Sequence, residues 1–201
     1  ARGAALMTGT EVEIDVREGI CDFLPNNVVS KVASESLFEV GAPEFDEKDF
    51  ELARSFFKDF GEGNRQNMLN EAKYYAEEEM ARKYFDTPLM TDIWPYVRKP
   101  LTKPGGTDAG DVSYIIPACW ISTACYVNGT PSHSWQATAM TGSSITHKGM
   151  LCAAKAMALS AVKFFENPAL IKDAKDELFQ ITGGKEYTLM GEKAEPKAPG
   201  M

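Results

Sequence analysis

Residues 112–127 read VSYIIPACWISTACYV, and the structure of this stretch decides the class of the whole fold. β-branched, aromatic and small residues dominate it, a mixture that suits a pleated and buried surface, and Pro117 interrupts it. The expectation is one or two buried strands broken near Pro117. Immediately upstream lies GTDAGDVS at 106–113. Downstream come NGTPSHSWQ at 128–136 and SSITHKGM at 143–150, which hold both histidines of the chain. Polar residues crowded around Gly-rich turns beside a buried strand mark the region where chemistry should be sought.

Outward from that stretch, residues 10–16 alternate. Val12, Ile14 and Val16 lie on one face and Glu11, Glu13 and Asp15 on the other, the pattern of a half-exposed antiparallel strand. Residues 19–25 continue extended. Asn26 or Asn27 offers an N-cap for a helix to about Val40, stopped by Gly41 and Pro43. A second helix is expected over 46–60, with a broad apolar face of phenylalanines and early negative charge from Asp46 and Asp49. A third, more polar helix is expected over 64–84, burying Met68, Leu69, Ala72, Tyr75, Ala76 and Met80. Pro88, Pro95, Pro100 and Pro104 make 86–106 a loop.

Residues 147–165 form a strongly apolar helix rich in alanine, which implies close packing against a sheet. Asn167 and Pro168 open a last helix to about Ile181, before Gly183 and Gly184. Residues 185–201 read as a loose tail. Helices with strands among them give the class α/β or α+β.

A chain of 201 residues, 44% hydrophobic and 25% charged, can bury a real core and is not of disordered composition. Its net charge of −8 argues against a nucleic-acid surface, which needs clustered Lys and Arg. Cys21, Cys119, Cys125 and Cys152 form no CxxC pair and suit a reduced, cytoplasmic protein. No apolar run is long enough for a membrane span, and no signal peptide opens the chain. The start at Ala1, without methionine, is expected from a removed tag, from proteolysis or from a missing N-terminal part.

Asp108 and Asp111 stand three apart around Gly110. Two acids this close can ligate a metal, orient a histidine or cap the turn that follows. His133, in the polar turn TPSHSW, is placed for metal ligation or proton transfer; the plainer reading is a surface-loop histidine. His147 starts an apolar helix, where local bonding is the commoner role. One histidine and two acids do not make a zinc site, which needs three or four protein ligands, and there is no HExxH. Cys119 and Cys125 read as buried inert thiols. The turn at Gly105 and Gly106 lacks the order of a phosphate loop. The residues alone give part of a site.

The order GTDAGDVS, GTPSHSWQ and then HKGMLCAAKAMALSA closely resembles the C-terminal part of the aminobenzoyl-glutamate utilization protein B-like enzymes. These enzymes sit within the aminoacylase and carboxypeptidase-like metal-dependent amidohydrolases. At the front, ARGAALMTGTEVEI and DFLPNNVVSKVASESLFEVGAPEF resemble the end of the family's lid domain and the return into its catalytic domain. The resemblance runs from about Ala1 to Lys175 and is weakest over 64–99.

It implies a zinc-peptidase-like α/β catalytic domain, a sheet flanked by helices, preceded by the last strands of an α/β lid. The expected division is 1–26 lid and dimerisation domain, 27–184 catalytic domain and 185–201 tail. It also implies two divalent metal ions, zinc or manganese, in the full-length enzyme, and hydrolysis of the amide bond of p-aminobenzoyl-glutamate or a related N-acyl amino acid. By the same resemblance His133 is the last metal ligand in family order. Asp108 and Asp111 are acids beside the metal centre rather than direct ligands. Asn26 helps to bind substrate, and His147 recurs in the subfamily without an assigned role.

The family's earlier ligands, its Glu-Glu pair and its lid histidine have no counterpart here. The resemblance therefore implies the C-terminal portion of the enzyme, holding no catalytic base. It is expected to be inactive and to bind no metal stably by itself. The expected partners are a small-molecule amide, an N-terminal half that can be a separate chain, and further copies in a homo-oligomer. No nucleic acid or membrane is expected. The competing reading is a non-catalytic binding or dimerisation module that uses the strand at 10–16.

Overall fold

The computed structural model describes residues 1–15, 19–73, 76–97 and 106–188. Val16, Tyr75, the prolines at 100 and 104, Gly105 and most of the expected tail, from 189 onward, lie outside the described residues. So does the end of the alternating stretch 10–16.

The chain folds through helices. In order they are α1 (Arg2–Thr8), α2 (Asn27–Val40), α3 (Glu47–Phe57), α4 (Glu62–Ala72), α5 (Glu78–Asp86), α6 (Ala109–Ser113), α7 (Trp135–Thr141), α8 (Ser144–Glu166) and α9 (Pro168–Thr182). The expectation of an α/β fold, with a sheet flanked by helices and lid strands before it, is overturned. Among the described residues there is no sheet, and strand-like pairing is confined to one parallel bridge between Pro25 and Ala118.

The physical reason is a lack of neighbours. A strand is stable only where a second strand takes up its backbone groups. Residues 10–15 pair with no strand and carry no regular structure. Val112 and Ser113, the first residues of the expected strand, instead close the short helix α6, and Tyr114–Pro117 turn away from it. Residues 119–125 carry no regular structure, and pairing of the expected strand is confined to the bridge at Ala118.

The centre of the fold is α8, the longest helix at 23 residues. It buries Ile145, Gly149, Cys152, Ala156 and Ser160 along one side. The alanine-rich composition signals close packing as expected, but the surface it meets is α2 rather than a sheet, with α9 against both. Close approach continues at its first turns. A Cβ on Gly149 would lie 2.4 Å from the Ala124 carbonyl oxygen, so only glycine lets the extended segment cross there.

Local caps fix where the helices begin. Asn26 accepts from the Val29 amide at 3.1 Å, and Glu177 of α9 accepts from the amides of Asn27 and Val28 at 2.9 and 3.0 Å. The free amides of the first turn of α2 are thus met by a carboxylate from α9. Asp46 and Asp49 form a capping box on α3, and Ser134 and Ser143 cap α7 and α8. Pro168 occupies the first turn of α9, as its missing amide allows.

A second apolar centre forms where Ala53, Phe60, Leu89, Val127, Met140 and Ile145 meet, with the phenylalanines of α3 packed around it. The expected polar helix over 64–84 is two helices, α4 and α5, with Met68, Ala72 and Ala76 buried as the pattern implied.

Candidate functional site

Asp111 is held from below by the chain that precedes α2. Its Oδ1 accepts from the Cys21 amide at 3.1 Å, and Ser113 Oγ, two residues on, donates to the Gly110 carbonyl and receives the Leu24 amide at 2.8 Å. Gly110 makes the approach feasible, because a Cβ there would stand 2.1 Å from the Cys21 carbonyl oxygen. The Cys21 amide lowers the Asp111 carboxyl below the ordinary carboxylate range, against the opposing push of burial. Burial, and then the neighbouring Asp111, raises the Cys21 thiol. Asp22 accepts from the Tyr114 hydroxyl at 2.8 Å, and that bond pushes the phenol up to about 12. α6 is therefore pinned to residues 21–24 by three side chains.

Asp108 stands at the start of the same helix without capping it. Its side chain is exposed and meets Thr107 Oγ1 at 3.4 Å. The two acids thus differ: Asp111 is engaged with backbone and Asp108 faces solvent.

His133 occupies the turn between Pro131 and Ser134, exposed, with φ of 54°, the left-handed region that non-glycine residues rarely adopt. Ser134 completes the turn by donating to the Pro131 carbonyl at 2.7 Å while its Oγ accepts from the Ala137 amide at 3.2 Å. The imidazole is thereby presented at the N-terminal end of α7. His147 is exposed on α8, four residues from the cap Ser143.

Asn26 is buried, and its amide is engaged at both ends. Its Oδ1 caps α2, and its Nδ2 donates to the Ala174 carbonyl at 2.9 Å. The side chain is thus committed to α2 and α9, and its burial keeps it from solvent.

These residues do not converge. Among the described residues no group of three or more His, Cys, Asp or Glu side chains is arranged to hold a metal ion. The donors among the described residues therefore do not by themselves make a binuclear metal centre, and His133 stands exposed in its turn.

One charged cluster lies outside the residues that the sequence marks as site candidates. Asp49, buried at the start of α3, accepts from Lys148 Nζ at 2.6 Å, from the Asp46 amide at 3.0 Å and from Ser144 Oγ. Lys148 also reaches Asp46 at 3.0 Å. Burial pushes the Asp49 carboxyl up, but the bonds from Lys148, Ser144 and the Asp46 amide outweigh it and leave it below the ordinary range. Its bonds run between the first turn of α3 and the second turn of α8, so the cluster ties these two helices together. The one sign of it in the sequence is the D-x-x-D capping pattern at Asp46 and Asp49.

No helix among the described residues is long and apolar enough to cross a membrane. Comparison with protein families finds no family profile that matches the chain, and no solved structure matches it. Over 190 residues, 93% of its length, the chain is 33% identical to one of the subunits of the p-aminobenzoyl-glutamate hydrolase of Escherichia coli strain K12. It spans 40% of the length of that relative.

Proposed function

From its kinship to a p-aminobenzoyl-glutamate hydrolase, which extends over nearly the whole of this chain, we propose that the protein is part of a metal-dependent amidohydrolase. Its substrate is p-aminobenzoyl-glutamate or a related N-acyl amino acid. That similarity is the observation that carries the reading.

The exposed imidazole of His133, set by a left-handed turn at the mouth of α7, is the donor this chain contributes to the metal centre. The remaining ligands and the base that activates water belong to the rest of the enzyme. The metals supply polarisation of the amide carbonyl and a water of lowered pKa. Asp111 keeps α6 fixed on residues 21–24, and Asp108 remains free to meet the solvent side of the centre. The enzyme works in the cytoplasm as an oligomer.

The test is hydrolysis of p-aminobenzoyl-glutamate by the complete enzyme purified from its source, followed as release of p-aminobenzoate. His133→Ala is expected to lower the rate by about 100-fold or more, since even partners one shell out cost 10–100-fold. Melting of the protein should stay unchanged. Retained activity in that variant removes the ligand assignment, and a complete enzyme that leaves N-acyl amino acids uncut removes the reading as a whole.

A further inference from the structure

The charged residues of the chain leave one long interval empty. Between Asp111 and Lys148 the sequence holds no Asp, Glu, Lys or Arg, although the chain is 25% charged. His133 lies inside that interval, exposed in its turn. Trp135 follows it two positions later, at the first position of α7, and is 70% exposed. Tryptophan is highly buried on average, so an indole this open calls for a reason. Trp120 is open to a similar extent, but it has Phe23 as its ring partner and no histidine beside it in sequence.

The indole of Trp135 is held in place. Ser134 caps α7 through the Ala137 amide at 3.2 Å, and Met140 buries the far end of the same helix in the core. The Phe56 ring lies 6.2 Å from the Trp135 ring, tilted by 43°, and Phe56 itself packs against that core. A supported ring that remains mostly open offers flat apolar area with little conformational freedom left to lose on binding. Two residues of chain span at most about 7 Å, so the Cα of Trp135 lies within that reach of the Cα of His133.

We propose that Trp135 recognises the aromatic acyl group of the substrate. The inference rests on the proposed function, which places His133 at the scissile amide. In an aroyl amide the ring is bonded directly to the carbonyl carbon, so an indole two residues from His133 stands within reach of it. The glutamate half of such a substrate carries two carboxylates, whose strongest partners are Arg and Lys. The interval around Trp135 supplies neither. Its uncharged surface fits the acyl half, and among acyl groups an indole favours a flat ring, through offset or edge-to-face stacking.

The complete enzyme, offered p-aminobenzoyl-glutamate and hexanoyl-glutamate as paired substrates, reads the assignment. Wild type is expected to favour the aroyl substrate in kcat/KM. Trp135→Leu should lower that preference by about 10-fold, the size of a strong aromatic pair. Trp135→Phe, which keeps a flat ring, should hold it within about 3-fold of wild type. A second readout needs no turnover. On illumination, 4-azidobenzoyl-glutamate should label the peptide that contains Trp135, and excess p-aminobenzoyl-glutamate should prevent the labelling. A wild type without preference, equal losses on both substrates in Trp135→Leu, or labelling confined to other peptides overturns the inference. The two readings fail apart. Hydrolysis of both amides with no dependence of the preference on Trp135 removes the aromatic contact alone, whereas labelling at α7 in an enzyme that cuts neither amide removes the proposed reaction alone.

Discussion

The ammonium of Lys148 lies 2.6 Å from Oδ2 of the buried Asp49, and that pair fastens the first turn of α3 to the second turn of α8 across 99 positions of sequence. Because Asp49 also closes the capping box with Asp46, one carboxylate serves helix initiation and tertiary packing together. Asp49→Ala removes the box and strands the half-buried ammonium. It is expected to cost about 2 kcal/mol, seen as a fall in Tm of about 4–8 °C. An unchanged Tm would mean that the pair forms no part of the stable fold.

The same cluster sets a pH signature. Lys148 lowers the Asp46 carboxyl, and the Asp49 carboxyl also lies below its ordinary value of 3.8 despite burial. A carboxyl depressed in the folded state adds stability above its unfolded value, and that stability is lost as pH falls through the folded value. The bonds to Asp49 and Asp46 raise the Lys148 ammonium above its ordinary 10.5, so its contribution is full below that value and lost as pH rises through the folded one. The stability difference between wild type and Lys148→Met should therefore be flat from about pH 5 to pH 10 and shrink on either side. Urea titrations across that range check it, and a difference that grows below pH 4 would contradict it.

Gly149→Ala should destabilise even though alanine is the better helix former by about 1 kcal/mol. The added Cβ would sit 2.4 Å from the Ala124 carbonyl oxygen and 2.8 Å from Cys125 Sγ, so α8 and the extended segment must part. The expected cost is about 1–3 kcal/mol. Gly142, with open space around its Cα and φ of −87°, is the control, and Gly142→Ala should fall within about 0.5 kcal/mol of wild type.

Asn26 separates two roles by measurement. Its Oδ1 caps α2 and its Nδ2 ties α2 to the Ala174 carbonyl of α9. Asn26→Ala is expected to lose about 2 kcal/mol of stability, with kcat and KM of the complete enzyme changed little at a temperature where the variant is folded. A raised KM with an unchanged Tm would instead assign this side chain to the substrate.

What could be read from the sequence was local, and what could not was relational. Asn26 as a cap, Gly41 as a stop and Pro168 at the head of α9 are each set by bonds within a few residues, and each stands where the residue types put it. The stretch 112–127 has the composition of a strand, but composition is silent on whether a partner strand exists, and among the described residues its strand-like pairing is confined to the bridge between Ala118 and Pro25. The alanines of α8 announced a close neighbour without saying that it is the helix α2. α1, α6 and α7 are 7, 5 and 7 residues long, too short for a helical period to show. At the site, His133 and the acids stand out as residue types. The engagement of Asp111 with a backbone amide 90 positions away depends on tertiary structure and leaves no trace in spacing.

His133 carries the last prediction, because its backbone and its side chain can be set against each other. At φ of 54° a histidine pays the Cβ clash of the left-handed region, whereas glycine does not. His133→Gly should therefore leave the fold as stable as wild type or stabilise it by about 1 kcal/mol, while His133→Ala keeps the clash and gains nothing. A residue held in such a conformation is a candidate for function, since strain persists where something else selects it. The complete enzyme should accordingly lose amide hydrolysis in both variants, with Tm equal or higher in His133→Gly. If His133→Gly retains activity, the left-handed turn is an ordinary loop feature and the imidazole plays no part in the reaction.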